Sequence, residues 1–180
     1  MLKEASAELR EYKMLFNNDE VKSFLPHRDP FLFVDSVEEV TLPPEVDEDK
    51  PNLALKDCIG ATVTASFYTK KDLDIFSGHF PENPVLPGVI QIEMMAQASC
   101  FMSSKVYKEP ENYRLEVALM GASHCKFRKP VLPDMDLTIK AKLVKVRGPV
   151  ISYEGEIYHG ENLMSEASLL ASVKFIERDS

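Results

Sequence analysis

The sequence predicts an α+β domain in which a curved antiparallel β-sheet wraps around one long central helix. Apolar and polar residues alternate in several segments after residue 113, which is the period of a strand with one buried face. Residues 83–104 form the longest stretch with few charges and contain a single ionisable carboxylate, Glu93. A sheet with one apolar face needs an apolar element to cover, and the long helix expected within this stretch is the obvious one.

The N-terminal part of the chain is predicted to be helical. Residues 1–16 suit a short amphipathic helix, and residues 17–20 offer N-cap chemistry for a helical turn that ends near Leu25. We therefore expect a helical N-terminal extension over residues 1–19 and a single domain over residues 20–180.

Strands are predicted both before and after the long helix along the chain. The helix itself is expected over residues 88–107. A polar, proline-broken segment at residues 43–57 is predicted to be a surface loop. The predicted strands cover residues 31–42, 59–68, 115–125, 137–143, 151–159 and 169–175.

Composition excludes several classes of function. The net charge of −8 and the lack of a basic stripe argue against binding to nucleic acid. The 3 cysteines lack metal-ligand spacing and are typical of reduced thiols in a cytoplasmic protein. The first residues do not form a secretory signal, and the prolines and glutamines within residues 83–104 argue against membrane insertion.

The most informative segment is the loop Gly78-His-Phe-Pro-Glu-Asn-Pro-Val-Leu-Pro-Gly88, which leads directly into the long helix. Its three prolines stiffen the backbone, which suits a catalytic side chain that must be held in place. His79 in the loop and Glu93 in the helix form a workable acid–base pair near neutral pH.

Two further residues are candidates for supporting roles. Gly88 stands where the helix begins, so its N–H group is suited to holding a carbonyl oxygen that gains negative charge. Gln97 follows Glu93 by four residues on the same helix face and is a candidate for orienting it. Burial among apolar neighbours is expected to raise the pKa of Glu93 and make it a proton donor.

Less specific interpretations of these residues stand beside the catalytic one. A histidine in a loop is usually just exposed, and Glu93 has Arg28 as an alternative ion-pair partner. His27 is interpreted as structural, while His124 and His159 lie in predicted strands. Cys100 on the helix is interpreted as a small core residue.

The chain resembles the FabZ-type (3R)-hydroxyacyl-carrier-protein dehydratases in four blocks and in their order and spacing. The resemblance extends over roughly residues 20–177, and the central block is the most specific. The blocks are Leu25-Pro-His-Arg-Asp-Pro-Phe-Leu-Phe-Val-Asp35, Gly78-His-Phe-Pro-Glu-Asn-Pro-Val-Leu-Pro-Gly-Val89, Glu93-Met-Met-Ala-Gln97 and Lys126-Phe-Arg-Lys-Pro-Val-Leu-Pro133.

The resemblance implies a hotdog fold and a homodimer whose two active sites lie at the subunit interface, commonly assembled as a hexamer. His79 would come from one subunit and Glu93 from the other. The implied reaction removes water from a 3-hydroxyacyl thioester on acyl carrier protein during fatty-acid synthesis. His79 would take the C2 proton, the Gly88 N–H would hold the enolate oxygen, and Glu93 would protonate the departing hydroxyl, supported by Gln97. No metal or organic cofactor is implied.

The resemblance also assigns a docking surface and contains departures. Lys126, Arg128 and Lys129 match a basic block of the family and are candidates for binding the acidic carrier protein. Gln91 replaces a usual aliphatic residue, and the residues aligned with acyl-tunnel aromatics, Ala118 and Leu119, are smaller here. Glu93 itself favours dehydration alone, because the related FabA-type isomerising enzymes usually carry Asp at that position.

Two other functions remain open at the level of sequence. One is a hotdog acyl-thioester hydrolase, although such enzymes lack the Gly-His-Phe-Pro loop. The other is a non-catalytic subunit that binds acylated carrier protein, against which the presence of both His79 and Glu93 argues.

Overall fold

Six antiparallel strands form one continuous sheet in the structure, a computed structural model that describes residues 14–107 and 112–177. The strands are β1 (Ser36–Thr41), β2 (Thr62–Tyr68), β3 (Tyr113–Phe127), β4 (Asp136–Arg147), β5 (Val150–His159) and β6 (Asn162–Glu177). The helices are α1 (Asn18–Phe24), α2 (Asp74–Gly78) and α3 (Gly88–Cys100), with 3₁₀ turns at Leu55–Cys58 and Phe101–Lys105. The order across the sheet is β1-β2-β4-β5-β6-β3.

The alternating sequence pattern is what fixes the register of the central strands. In β4 the apolar residues Leu137, Ile139, Ala141 and Leu143 are all buried, whereas the lysines between them are exposed. Ile139 lies opposite Ile157 of β5, so the buried faces coincide. A shift by one residue would turn every apolar side chain towards water, and the pattern therefore specifies the pairing strongly.

The long helix α3 packs against the concave face of the sheet and contacts all strands from β2 to β6. Met94, Met95 and Ala98 are completely buried between helix and sheet. The predicted α+β hotdog arrangement is therefore confirmed. Helix α3 has 13 residues, and nowhere in the described ranges is a helix both long and apolar enough to cross a membrane.

The short helix α1 begins with the capping chemistry that the sequence predicts. The side chain of Asn17 accepts hydrogen bonds from the backbone N–H groups of Asp19 and Glu20, and Glu20 accepts one from the N–H of Asn17. The division proposed at residue 19 falls inside this helix. The amphipathic helix predicted for residues 1–16 lies almost entirely outside the described residues.

Several elements differ from the sequence prediction, and three of these differences lie close to the candidate site residues. The strand predicted from residue 31 begins only at Ser36, because the backbone at Phe31 and Phe33 bonds to the side chain of Gln97 rather than to a neighbouring strand. Helix α3 ends at Cys100 and continues as a 3₁₀ turn, short of residue 107. Helix α2, directly before His79, was not predicted.

The two edges of the sheet are very different. The β1 edge is covered in part by the chain at Phe16, which pairs with Val37. The β3 edge is 15 residues long, and most of its residues from Glu116 onwards are exposed in the single chain. Leu119, Met120 and Phe127 of this strand are 43%, 55% and 50% exposed. A long edge with exposed apolar side chains is typical of a strand that pairs with another chain.

Candidate active site

His79 is held by the loop that the sequence singled out. Its Nδ1 atom lies 2.7 Å from the carbonyl oxygen of Val85, and its own carbonyl accepts from the N–H of Val85 at 2.9 Å. A carbonyl can only accept, so Nδ1 carries the proton and the neutral ring keeps its lone pair on Nε2. The half-buried His79 is therefore oriented to act as a base through Nε2.

Gly88 begins α3 in the wall of the cavity that His79 lines. This cavity has a volume of about 530 Å³, and Ile92 and Phe127 also line it. A Cβ atom at position 88 would lie 2.6 Å from Cζ of Phe127, so the space left by glycine is filled by that ring. The first N–H groups of a helix have no partner within the helix, which leaves the start of α3 suited to holding an oxyanion in this cavity.

Glu93 is held on the opposite side of the same helix segment by Gln97. The Nε2 atom of Gln97 donates to Glu93 Oε1 at 3.0 Å and to the carbonyl of Phe31 at 2.9 Å, while its Oε1 accepts from the N–H of Phe33 at 2.8 Å. Gln97 is 1% exposed, so its amide is fixed by these partners rather than by water. The hydrogen bond to Glu93 is the contact that an orienting role for Gln97 requires, and that role stays a prediction.

The ionisation of Glu93 differs from the sequence prediction. His27 Nε2 lies 3.4 Å from Glu93 Oε1, and this contact lowers the pKa of the carboxyl. Burial acts in the opposite direction, but the hydrogen bond from Gln97 adds to the lowering. The prediction of a raised Glu93 pKa was wrong. Burial does raise it, but the two contacts that favour the carboxylate outweigh this desolvation. The expected alternative partner, Arg28, instead donates to the carbonyls of Leu25 and His27.

Glu93 and His79 open into two different cavities of one chain. Glu93 lines a cavity of about 160 Å³ together with His27 and Gln97, whereas His79 lines the larger cavity beside Gly88. In one chain, therefore, a base with a helix N-terminus and a carboxyl with its supports line separate cavities, and each of these two groups is here called a half-site.

The cavity beside Glu93 has a largely apolar wall. Ala118 and Leu119, which the family resemblance aligns with acyl-tunnel positions, both line it, as do Cys100 and Tyr153. Burial raises the pKa of Cys100 to about 12 and raises the pKa of Tyr153 as well, so both are neutral near pH 7. The cavity thus offers an apolar space next to one carboxyl, which suits an acyl chain.

The three basic candidates for carrier docking lie at the end of β3 and beyond it. Lys126 and Arg128 both contact Oε1 of Glu166, at 3.2 Å and 2.9 Å, and Lys129 contacts Asn162. Arg128 and Lys129 line the cavity of His79. Two of the three basic side chains, Arg128 and Lys129, therefore border the His79 half-site, and Glu166 neutralises part of the charge of Lys126 and Arg128.

Sequence reasoning missed one residue of this site. His27 was interpreted as structural, yet its ring contacts the candidate acid. The available signal was its position in the block Leu25-Pro-His27, one of the four that carry the family resemblance. No spacing rule connects residue 27 with residue 93, so the contact itself becomes visible only in the fold.

Fold and site together define a hotdog-fold dehydratase. A family model described as ApeI-like, ApeI dehydratase, matches residues 56–167. The 3-hydroxyacyl-[acyl-carrier-protein] dehydratase FabZ of Magnetococcus marinus is 36% identical over 156 residues, which is 86% of this chain and 90% of that protein. The chain belongs to the FabZ-type dehydratase family.

Other relatives agree with this assignment. FabZ of Anaplasma marginale is 35% identical over 161 residues, covering 88% of this chain and 97% of that protein. The bifunctional enzyme LpxC/FabZ of Chlorobaculum tepidum is 35% identical over 161 residues; this covers 89% of the chain but only 30% of that longer protein.

A solved structure shares the fold at lower sequence identity. The dehydratase heterocomplex ApeI:P from Xenorhabdus doucetiae matches with a TM-score of 0.63 and 20% identity, over 89% of this chain and 91% of that one. A point mutant of the fluoroacetyl-CoA-specific thioesterase FlK matches with a TM-score of 0.52 and 17% identity, over 69% and 90% of the two chains. At these identities, both likenesses concern the fold alone.

Proposed function

We propose that this chain dehydrates (3R)-3-hydroxyacyl thioesters on acyl carrier protein to trans-2-enoyl thioesters, a dehydration that the names of its FabZ relatives state for those proteins. The observation that carries the proposal is the 2.7 Å contact between His79 Nδ1 and the Val85 carbonyl. It leaves Nε2 as the basic nitrogen, which is the state that abstraction of a carbon-bound proton requires.

The chemistry divides between the two half-sites. His79 Nε2 removes a proton from C2, and the electron pair forms an enolate whose oxygen is held by the N–H at Gly88. The C3–O bond then breaks as the protonated form of Glu93, which its lowered pKa makes a minor species near neutral pH, gives its proton to the departing hydroxyl, so that water and the C2–C3 double bond result. The thioester carbonyl supplies the acidity of C2, so His79, Gly88 and Glu93 are sufficient for these steps.

Each complete site is proposed to combine two chains. The two half-sites of one chain face separate cavities, and the exposed β3 edge offers a surface along which a second copy can pair its own β3. In such a dimer His79 of one protomer would serve the Glu93 half-site of its partner. Three dimers would form the hexamer that the family resemblance implies.

The carrier protein is proposed to dock at Lys126, Arg128 and Lys129. Arg128 and Lys129 line the His79 cavity, through which a phosphopantetheine arm would enter, and Lys126 shares the carboxylate of Glu166 with Arg128. Acyl carrier protein is acidic and the chain has a net charge of −8, so docking needs a local basic surface such as this one. We also propose a cytoplasmic location, which the three free cysteines support.

Hydration of a short trans-2-enoyl thioester, the reverse reaction, tests the activity directly. Loss of the conjugated enone absorbance is expected for the wild type and not for His79→Ala or Glu93→Gln. Retention of full activity by both variants would contradict the assigned roles. Release of free thiol instead of hydration would indicate a thioester hydrolase.

Mixing the two inactive variants tests the shared site. A heterodimer of His79→Ala and Glu93→Gln chains, isolated with two different tags, contains one site with both residues intact. Roughly half of the wild-type activity per dimer is therefore expected. A heterodimer of wild type with the double variant is the matched control: both its sites lack one residue, so it should be inactive. Half activity in this control and none in the mixed variant would place each site within one chain.

A further inference from the structure

His27 and Gln97 approach the same oxygen of Glu93. His27 Nε2 lies 3.4 Å from Oε1, and Gln97 Nε2 lies 3.0 Å from that same atom. Among the described residues, no hydrogen-bond partner contacts Oε2. The carboxyl group is thus held on one side and free on the other, within the cavity that an acyl chain would occupy.

The contact with His27 is not an ordinary surface ion pair. The two side chains are 19% and 20% exposed, so water screens them only in part. The other ring nitrogen, Nδ1, is buried and has no hydrogen-bond partner in the part of the chain that the structure describes. A histidine that leaves one buried nitrogen unpaired while directing the other at a carboxylate is costly for packing alone.

The other titratable side chains that line the cavity of Glu93 are neutral near pH 7. From α3 and β5 the cavity receives Cys100 and Tyr153, whose raised pKa values keep them neutral, and β3 and β6 contribute apolar residues. The neighbouring Arg28 directs its guanidinium at the carbonyls of Leu25 and His27. His27 is therefore the titratable group that acts on the carboxyl from the 26–35 loop.

We infer that His27 is a positioning residue which, together with Gln97, fixes Oε1 of Glu93 so that Oε2 exchanges the proton with the substrate hydroxyl. This inference rests on the proposed dehydratase function. The Nε2–H group of His27 donates to Oε1 of Glu93 most strongly once Glu93 has become a carboxylate. That form develops as the C3 hydroxyl departs as water. The 3.4 Å contact is long for a hydrogen bond and tightens as charge develops on the carboxyl.

The first test is the pH dependence of enoyl-thioester hydration by His27→Phe, which keeps a planar ring but has no donor. In this direction Glu93 must be ionised to accept a proton from water, so activity is lost as the pH falls through its pKa. Removing the donor raises that pKa, and the acidic limb of the kcat profile should move to higher pH. We expect kcat to fall roughly tenfold to a hundredfold, with little change in KM.

His27→Gln is the conservative variant, because its amide N–H can replace the Nε2–H donor. It should recover part of kcat and place the acidic limb between those of wild type and His27→Phe. His159→Phe changes a histidine outside both cavities and should leave the profile unchanged. An acidic limb of His27→Phe that coincides with that of the wild type overturns the inference, as does a loss of kcat that His27→Gln does not reduce.

A second measurement separates this inference from the proposed function. The pKa of Glu93 is followed directly by NMR of carboxyl-labelled protein, assigned with Glu93→Gln, in wild type and His27→Phe. The expected result is a higher Glu93 pKa in the variant. If the wild type lacks hydratase activity, the proposed function fails, and an unchanged Glu93 titration then removes the His27 contact as well.

Discussion

The backbone of Gly155 in β5 lies so close to the side chain of Met95 in α3 that any side chain at position 155 would displace it. A Cβ atom at position 155 would lie 2.8 Å from Cβ of Met95 and 2.9 Å from its Cγ and Sδ. Met95 is completely buried, and its Cβ is fixed to the helix backbone. The glycine therefore sets the distance between the sheet and the helix that carries Glu93.

We expect Gly155→Ala to destabilise the fold. The added methyl group forces α3 away from β5, which costs about 1–3 kcal/mol of the free energy of unfolding. Urea unfolding followed by circular dichroism measures this loss. Glu154→Ala, an exposed neighbour on the same strand, is the control and should change stability by less than about 0.5 kcal/mol. Equal stability of the two variants would contradict the close packing.

Gln97→Met is expected to lower the free energy of unfolding more than Gln91→Met does, although both substitutions remove a buried amide from α3. The first leaves the N–H of Phe33 and the carbonyl of Phe31 without their partner, with a loss of about 1–3 kcal/mol for each group that stays buried. The second removes one bond to Leu86 but also removes a buried oxygen that has no partner among the described residues. Urea midpoints compare the two, and a larger loss for Gln91→Met would refute the ranking.

Met120→Asp should weaken the proposed dimer without unfolding the chain. Met120 is 55% exposed on the β3 edge, so no core contact is lost when it becomes charged. A carboxylate buried in the interface is costly, and enoyl-thioester hydration should decline as the protein is diluted. Sedimentation velocity measures the association. Val144→Asp, at a 41% exposed apolar position on β4, is the control. Dimers that persist in Met120→Asp would show that this edge is not the interface.

Glu166→Gln should strengthen docking of the carrier protein. Arg128 and Lys126 hold the pKa of Glu166 below its usual range, so the residue is an anion that neutralises both. Removal of the Glu166 charge frees the positive charges of Arg128, which lines the His79 cavity, and of Lys126. KM for a carrier-linked substrate should fall several-fold at low salt, and the difference should vanish at high salt. KM for a small thioester without the carrier should not change; equal shifts for both substrates would argue against a docking role.

Much of the fold was predictable, because period-two patterns carry their own register. The segments at residues 137–143, 151–159 and 169–175 were predicted inside the strands β4, β5 and β6. The same rule failed at residues 31–35, although their composition is typical of a strand. There the backbone bonds to Gln97, which lies 64 positions from Phe33 in the sequence, and no local pattern records that contact.

The candidate site was predictable in its residues but not in its electrostatics. His79, Gly88, Glu93 and Gln97 were selected from a loop and a helix that are contiguous in sequence, and the fold holds them as two half-sites. The pKa of Glu93 depends on His27, which the chain brings to α3 from a separate loop. A prediction from the apolar neighbours alone accounts for desolvation but not for the donor, so it gives a Glu93 pKa shift of the wrong sign.

The hydrogen bonds of Gln97 give the 31–33 backbone an influence on turnover that no substrate contact would reveal. One amide joins Phe31, Phe33 and Glu93, so a displacement of that backbone is transmitted to the carboxyl through rigid planar groups. Substitutions in the loop that displace Phe31 or Phe33 should therefore alter catalysis by themselves. Phe33 thereby affects the position of Glu93 through Gln97, a residue that lies 64 positions away along the chain.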